Sequence, residues 1–220
     1  YNTKLFCCLD TTCRRRIMGG PDLDIEYELF RANLQHDENC EKNIPFPNKK
    51  YNIIYADPPW SYNDKLKHHG GSAESHYNVM TMENIYNLPI QDIADENCAL
   101  FLWVTFPNLP ACLETFNRWG FTYKTIAFNW IKTNRVNKKI FFGIGHYTRS
   151  NAEVCLLGIK GKLPVKDRTI SSIVISDREK HSKKPDEIRN KIVQLYGDLP
   201  KIELFARQSY EGWDSWGNEV

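Results

Sequence analysis

The sequence predicts an α/β protein with a central, mostly parallel sheet flanked by helices. Three observations carry that expectation. Short apolar runs rich in β-branched and aromatic residues recur along the chain, as in Ile53-Ile54-Tyr55-Ala56 and in CALFLWVTF over Cys98–Phe106, and runs without polar alternation belong to strands buried on both faces. Between them lie segments with helical spacing that end at glycine or proline. No internal repeat competes with this alternation, which is the pattern of a doubly wound sheet.

In chain order, residues 1–45 are expected to form an N-terminal extension: Arg14-Arg15-Arg16 on a solvated loop, Gly19-Gly20-Pro21, then one short helix across Ile25 to Leu34. The chain starts at Tyr1 without a methionine, as expected for part of a longer protein. Residues 46–220 are expected to be the main domain. Its first strand runs through Ile53–Ala56 and is closed by Asp57-Pro58-Pro59-Trp60. The polar, glycine- and histidine-rich stretch from Ser61 to Tyr77 is long for a connection inside a domain, which marks it as a lid over a neighbouring site; His68-His69 within it read as solvated rather than as ligands.

A helix or helix pair broken at Pro89 is expected over Thr81–Glu96, then the Cys98–Phe106 strand, a Leu109–Trp119 helix stopped at Gly120, and a Phe121–Lys132 strand. Ala152–Lys160 and Thr169–Ser176 follow as strands. Lys184-Pro185-Asp186-Glu187 opens a helix to Tyr196, with proline in the first turn, acids near the positive end and Gly197 after the stop. Ile188, Ile192 and Leu195 give it an apolar face. Lys201–Arg207 is a last strand, followed by polar groups in Trp213–Glu219.

Composition narrows the function classes. The 29 Lys and Arg against 27 Asp and Glu give a net charge of +2, too balanced to identify a nucleic-acid binder by charge alone. No apolar stretch approaches the ~18 residues of a membrane span. Cys98, Cys112 and Cys155 lie in apolar contexts and read as reduced core residues of an intracellular protein. Cys7, Cys8, Cys13 and Cys40 lack the spacing of a zinc site, so no metal is expected.

The chemistry concentrates at Asp57-Pro58-Pro59-Trp60, because ligands of open α/β sheets bind outside the carboxyl ends of strands. An acid and a proline carbonyl side by side offer two acceptors, suited to the two hydrogens of an exocyclic amine such as adenine N6. Held this way, the nitrogen is pushed toward tetrahedral geometry with its lone pair aimed at a methyl donor. Pro58 and Pro59 restrict the backbone, so the acceptors are pre-positioned. Trp60 offers a face on which a base can stack. The alternative is a rigid strand exit with Trp60 in the core. A second candidate surface is RVNKKIFFGIGHYTR over Arg135–Arg149, where Lys138 and Lys139 lie among aromatics with no acid. That mixture suits nucleic-acid backbone and base contacts, or docking of a partner subunit.

Taken in order, Asp57-Pro58-Pro59-Trp60, Phe101-Leu102-Trp103-Val104, Trp130-Ile131-Lys132-Thr133-Asn134, Lys184-Pro185-Asp186-Glu187, Glu203-Leu204-Phe205-Ala206-Arg207 and Trp216-Gly217-Asn218 resemble the MT-A70 family of adenine N6-methyltransferases. Within that family the chain is most similar to the catalytic subunit of ciliate DNA adenine methyltransferase complexes. The resemblance implies a permuted Rossmann-like methyltransferase fold of the β-class order and the cofactor S-adenosyl-L-methionine. It implies that Asp57 and Pro58 hold N6, that Asp57 also neighbours the donor's ammonium, and that Lys184 pairs with the donor's carboxylate. Phe205 and Arg207 lie along the nucleoside, and Asn218 and Glu219 on the ribose hydroxyls. Tyr77 corresponds to a lid tyrosine and Glu153 to a pocket acid beside the target base.

Ser209 and Tyr210 depart from the histidine and asparagine common in the family. The implied function is methyl transfer to adenine N6 in DNA, on a flipped or single-stranded base, in a nuclear heterodimer with an inactive paralogue and further DNA-binding subunits. The alternatives are an RNA adenine methyltransferase and a catalytically silent scaffold subunit.

Overall fold

The computed structural model describes residues 44–60, 80–145, 147–179 and 183–220. The expected helix at Ile25–Leu34, the 61–77 lid with Tyr77 and His68-His69, and Cys7, Cys8, Cys13 and Cys40 lie outside these residues.

Seven strands form one sheet: β1 (Tyr51–Ala56), β2 (Ala94–Val104), β3 (Thr122–Thr133), β4 (Ala152–Lys160), β5 (Ile173–Asp177), β6 (Lys201–Leu204) and β7 (Asp214–Trp216), in the spatial order β5-β3-β4-β2-β1-β6-β7. β4 is antiparallel to both its neighbours, and every other pair is parallel. The expected mostly parallel sheet is therefore present, with β4 as the reversed strand. Ala56 at the end of β1 pairs with Leu102 on one side and Leu204 on the other, which puts Asp57 at the middle of the sheet's carboxyl edge.

Both faces are covered. Ile54, Leu100, Leu102, Leu156, Ile202 and Leu204 pack with Ile85, Ile90, Cys112, Phe116 and Trp119, which belong to or adjoin α1 (Met82–Tyr86), α2 (Ile90–Ile93) and α3 (Leu109–Arg118). On the opposite face Ile53, Tyr55, Phe101, Trp103, Phe128 and Cys155 pack with Ile188, Ile192 and Tyr196 of α4 (Glu187–Tyr196). Each fully buried Leu, Ile or Phe contributes ~1.5–3 kcal/mol from its removal from water, so these two layers fix the strand register on which the site depends.

Several boundaries and one edge strand differ from expectation. The segment from Ala94 to Glu96 belongs to β2 rather than to a helix, because α2 is stopped after one turn and its chain is taken up by pairing of Tyr51 with Ala94. β5 starts at Ile173 rather than near Thr169. β6 ends at Leu204 because Phe205 adopts φ +59° and leaves the ladder. The tail contains an edge strand, β7, anchored by Asp214, which accepts from Lys49 Nζ at 2.7 Å and Tyr51 Oη at 2.8 Å.

Candidate active site

Because all strands except β4 run the same way, Asp57, Thr105, Asn134, Phe205 and Gly217 all emerge at one edge of the sheet. β4 enters from that edge, so its first residues, Ala152 and Glu153, join them. This is the edge where ligands of open α/β sheets bind.

Four charged side chains alternate in sign across it. Lys184 Nζ donates to Asp57 Oδ2 at 2.7 Å and lies 3.3 Å from Glu153 Oε2. Lys132 Nζ donates to the other oxygen of Glu153. Lys184 is held against the Trp103 ring, 5.5 Å from its centroid, and Trp103 is fixed in turn by its indole N–H donating to Tyr55 Oη at 2.7 Å. Burial alone would discharge these groups. It lifts the Asp57 carboxyl above its ordinary value, and Lys184 opposes the rise. For Glu153 burial also pulls upward, but Lys184 and Lys132 together outweigh it and hold the carboxyl below its ordinary value. Burial works against the charged form of Lys184 as well, yet Asp57 and Glu153 raise its pKa. The result is a low-solvent row of fixed charges, strongest where dielectric screening is least.

Pro58 is buried, and its carbonyl accepts the Trp60 N–H at 2.8 Å, which leaves one of its two lone pairs for an external donor. Pro59 accepts the Met80 N–H at 3.2 Å. The expectation that Trp60 presents a stacking face is corrected: its side chain sits in the core at 6% exposure, and its indole N–H donates to the Trp103 carbonyl at 2.9 Å. A large indole with one donor gains more from this buried, paired position than from an open one. Trp60 therefore locks the end of β1 to the end of β2 and stiffens the Asp57 turn.

Along the β6–β7 side, Arg207 Nε lies 3.6 Å from Glu219 Oε1, and both are solvent-accessible, as is Asn218. Phe205 rests edge-on against Trp216 with ring centroids 5.7 Å apart. Gly217 makes this arrangement possible, since a Cβ there would fall 2.3 Å from the Ala206 carbonyl oxygen. Only glycine allows the chain to double back so closely.

Lys138 and Lys139 are exposed on the loop after β3, apart from the Asp57 cluster, and Lys138 is paired with Asp177. That loop is tied to the site through its base, where the Phe141 N–H donates to the Lys132 carbonyl at 2.8 Å. Sequence reasoning missed Lys132 and Trp103 as site residues. The signal for Lys132 was present as strand register, since Glu153 pairs with Trp130 and Lys132 projects on the same side as Trp130.

The MT-A70 family model matches residues 51–219. The chain belongs to the MT-A70 family. It is 33% identical over 192 residues to a type II methyltransferase, M.MunI, from Mycoplasma sp, covering 79% of each chain. It is 30% identical over 175 residues to the human N(6)-adenosine-methyltransferase catalytic subunit METTL3, covering 78% of this chain and 28% of that protein. A putative N(6)-adenosine-methyltransferase from Medicago truncatula matches at 31%, with 26% of its length covered. The chain thus spans most of the first relative and about a quarter of the other two. The finer kinship to ciliate DNA enzymes rests on the sequence motifs alone.

MT-A70 methyltransferases use S-adenosyl-L-methionine, and the residues of this MT-A70 domain fit that group. An amino-acid moiety carries one anion and one cation, and the Asp57–Lys184 pair at 2.7 Å presents one partner for each. Glu219, which lies beside Arg207, and the exposed Asn218 provide acceptors and donors for a diol. When bound, the cofactor supplies an electrophilic methyl group on a sulfonium.

Proposed function

We propose that this chain is the catalytic subunit of a complex that methylates adenine N6 in DNA. The observation that carries the reading is the Asp57–Lys184–Glu153–Lys132 row at the carboxyl edge, next to a Pro58 carbonyl with a spare lone pair. Asp57 and the Pro58 carbonyl accept the two N6 hydrogens, localising the lone pair on nitrogen. Lys184 binds the donor's carboxylate and Asp57 its ammonium, while Phe205, Arg207, Asn218 and Glu219 align its nucleoside. Glu153, ionised between two lysines, lies where it can accept from a polar edge of the target base. No strong base is needed, since the amine sheds its proton readily once methylated and cationic. A base within a duplex cannot reach Asp57, so the target is flipped out or single-stranded.

The 33% identity over 192 residues to a type II methyltransferase supports the DNA reading. An RNA substrate is the second reading, favoured by the 30% identity to METTL3. Matched DNA and RNA oligonucleotides, methylated with and without candidate partner subunits and digested for mass spectrometry, test both. N6-methyldeoxyadenosine is expected; methyladenosine in the RNA arm alone would transfer the reading to RNA. No transfer in either arm, with S-adenosyl-L-methionine failing to bind, would indicate a silent scaffold.

The further parts of the proposal are a nuclear location, a paralogous partner docked on the Arg135–Arg149 loop, and a division into an N-terminal extension over 1–45 and a methyltransferase domain over 46–220. The loop's Val136, Ile144 and Tyr147 are almost fully exposed among Arg135, Lys138, Lys139 and Arg149, a composition typical of interface anchors.

A further inference from the structure

We propose that Tyr210 is a positioning residue for Lys184, clamping the turn that carries this lysine; the inference rests on the methyl-transfer reading of the site. Tyr210 occupies a place where the family resemblance leads one to expect an asparagine, and its side chain turns toward α4. Its hydroxyl donates to Asp186 Oδ1 at 2.7 Å, and its ring carries the Arg189 guanidinium 3.4 Å from the centroid.

Asp186 is the hub of the clamp. Besides Tyr210 it accepts from Arg189 Nη1 at 3.0 Å and from Lys183 Nζ at 2.7 Å. Arg189 continues to Glu203 on β6 through two hydrogen bonds of 2.7 Å, a bidentate geometry that fixes direction as well as distance. Lys184 therefore sits between two residues, Lys183 and Asp186, that are both tied down, and Pro185 removes one backbone freedom between them. Its ammonium must address Asp57 and Glu153 together, at 2.7 and 3.3 Å, so a small rotation of the turn degrades both contacts. Tyr210 is the group that ties this turn to the segment behind β6. Phenylalanine at this position keeps the ring on Arg189 but removes the donor to Asp186.

The test compares wild type with Tyr210→Phe, using calorimetry with two ligands. S-adenosylhomocysteine carries the amino-acid carboxylate that Lys184 addresses, and 5′-methylthioadenosine lacks it. Tyr210→Phe should weaken S-adenosylhomocysteine roughly five- to tenfold, less than the full worth of one charge-assisted hydrogen bond because the lost bond acts on the ligand only through the turn, and leave 5′-methylthioadenosine unchanged. In steady state the donor KM should rise by the same factor with kcat within about twofold, as expected when binding shared by the ground and transition states is lost. Equal affinity of variant and wild type for S-adenosylhomocysteine overturns the inference, as does equal weakening of both ligands, which would mark a general structural role. Failure of the wild type to bind either ligand overturns the methyl-transfer reading itself and is thereby distinguishable. Tyr210→Leu, which also removes the ring, should show the same selectivity to a greater degree.

Discussion

Lys184 is buried to 9% side-chain exposure between two carboxylates, and Lys132 at 13% closes the row. Buried charges of this kind are costly to strand, which makes each member sensitive to loss of its neighbour. Asp57→Asn keeps the shape of the acceptor but loses its charge toward Lys184 and the donor ammonium. It should lower kcat/KM about 10²–10³-fold, the usual worth of one pre-organised polar contact at a reacting centre, with an unchanged far-UV circular dichroism spectrum. Near-wild-type turnover would remove Asp57 from the mechanism. The acid limb of the activity profile should lie above the ordinary Asp value of 3.8, because burial raises the Asp57 pKa and protonation removes an acceptor.

Stability behaves differently at Glu153. Its pKa in the fold is lower than the ordinary 4.5, so its contribution is complete above 4.5 and is lost as pH falls through the lowered value. Lys184, whose pKa is raised from 10.5, contributes fully below 10.5 and loses its share only as pH rises through the raised value. Urea midpoints followed from neutral pH into acid should therefore fall more steeply for wild type than for Glu153→Gln. Parallel curves would show that Glu153 is not the titrating group. At neutral pH Glu153→Gln should itself cost ~3 kcal/mol, since it strips a partner from both Lys132 and Lys184.

At the scale of elements, the turn from β7 back onto Ala206 carries the side of the site proposed for the cofactor, and Gly217 is where it approaches Ala206 most closely. A methyl group there meets the Ala206 carbonyl at 2.3 Å and its amide nitrogen at 2.6 Å, backbone atoms that cannot swing aside. Gly217→Ala should destabilise the fold by ~1–3 kcal/mol, as overpacking does. That corresponds to a fall in melting temperature of a few degrees or more for a domain of this size, and donor affinity should drop as Asn218 and Glu219 move away from Arg207. A wild-type melting curve with wild-type donor affinity would show that the turn adjusts freely.

Such elements also show what was legible in the chain. β1, α3 and β4 could be read closely because uninterrupted apolar runs and a glycine stop define them locally. β7 could not, because Asp214-Ser215-Trp216 has no apolar pattern and is held by Lys49 and Tyr51 from the other end of the domain. The early end of β6 depends on the backbone of Phe205, a conformation that side-chain identity does not announce. Asp57, Lys184 and Glu153 were recognisable one by one. Their meeting was not, since it comes from the reversed strand β4 bringing Glu153 to the carboxyl edge.

For the whole molecule, the exposed loop between β3 and β4, proposed above as a recognition surface, is joined by backbone to the buried row. Phe141 hydrogen-bonds to the backbone of Lys132, the residue that pins Glu153, so the base of the loop and one end of the charge row share a backbone contact. Lys139 is the better probe of the outer surface, because Lys138 already answers Asp177. Lys139→Glu combined with Arg149→Glu replaces two cations by two anions at exposed positions, where the change costs the fold little. If the loop contacts phosphates, nucleic-acid affinity in gel shifts should fall and the slope of log K against log salt should flatten by roughly 1–2 units, about one per lost phosphate contact. If it docks a partner instead, light scattering should show weakened association while the salt slope of nucleic-acid binding stays put. Should affinity, salt slope and assembly all match wild type, the loop is a solvated connection, and recognition must be sought elsewhere along the carboxyl edge.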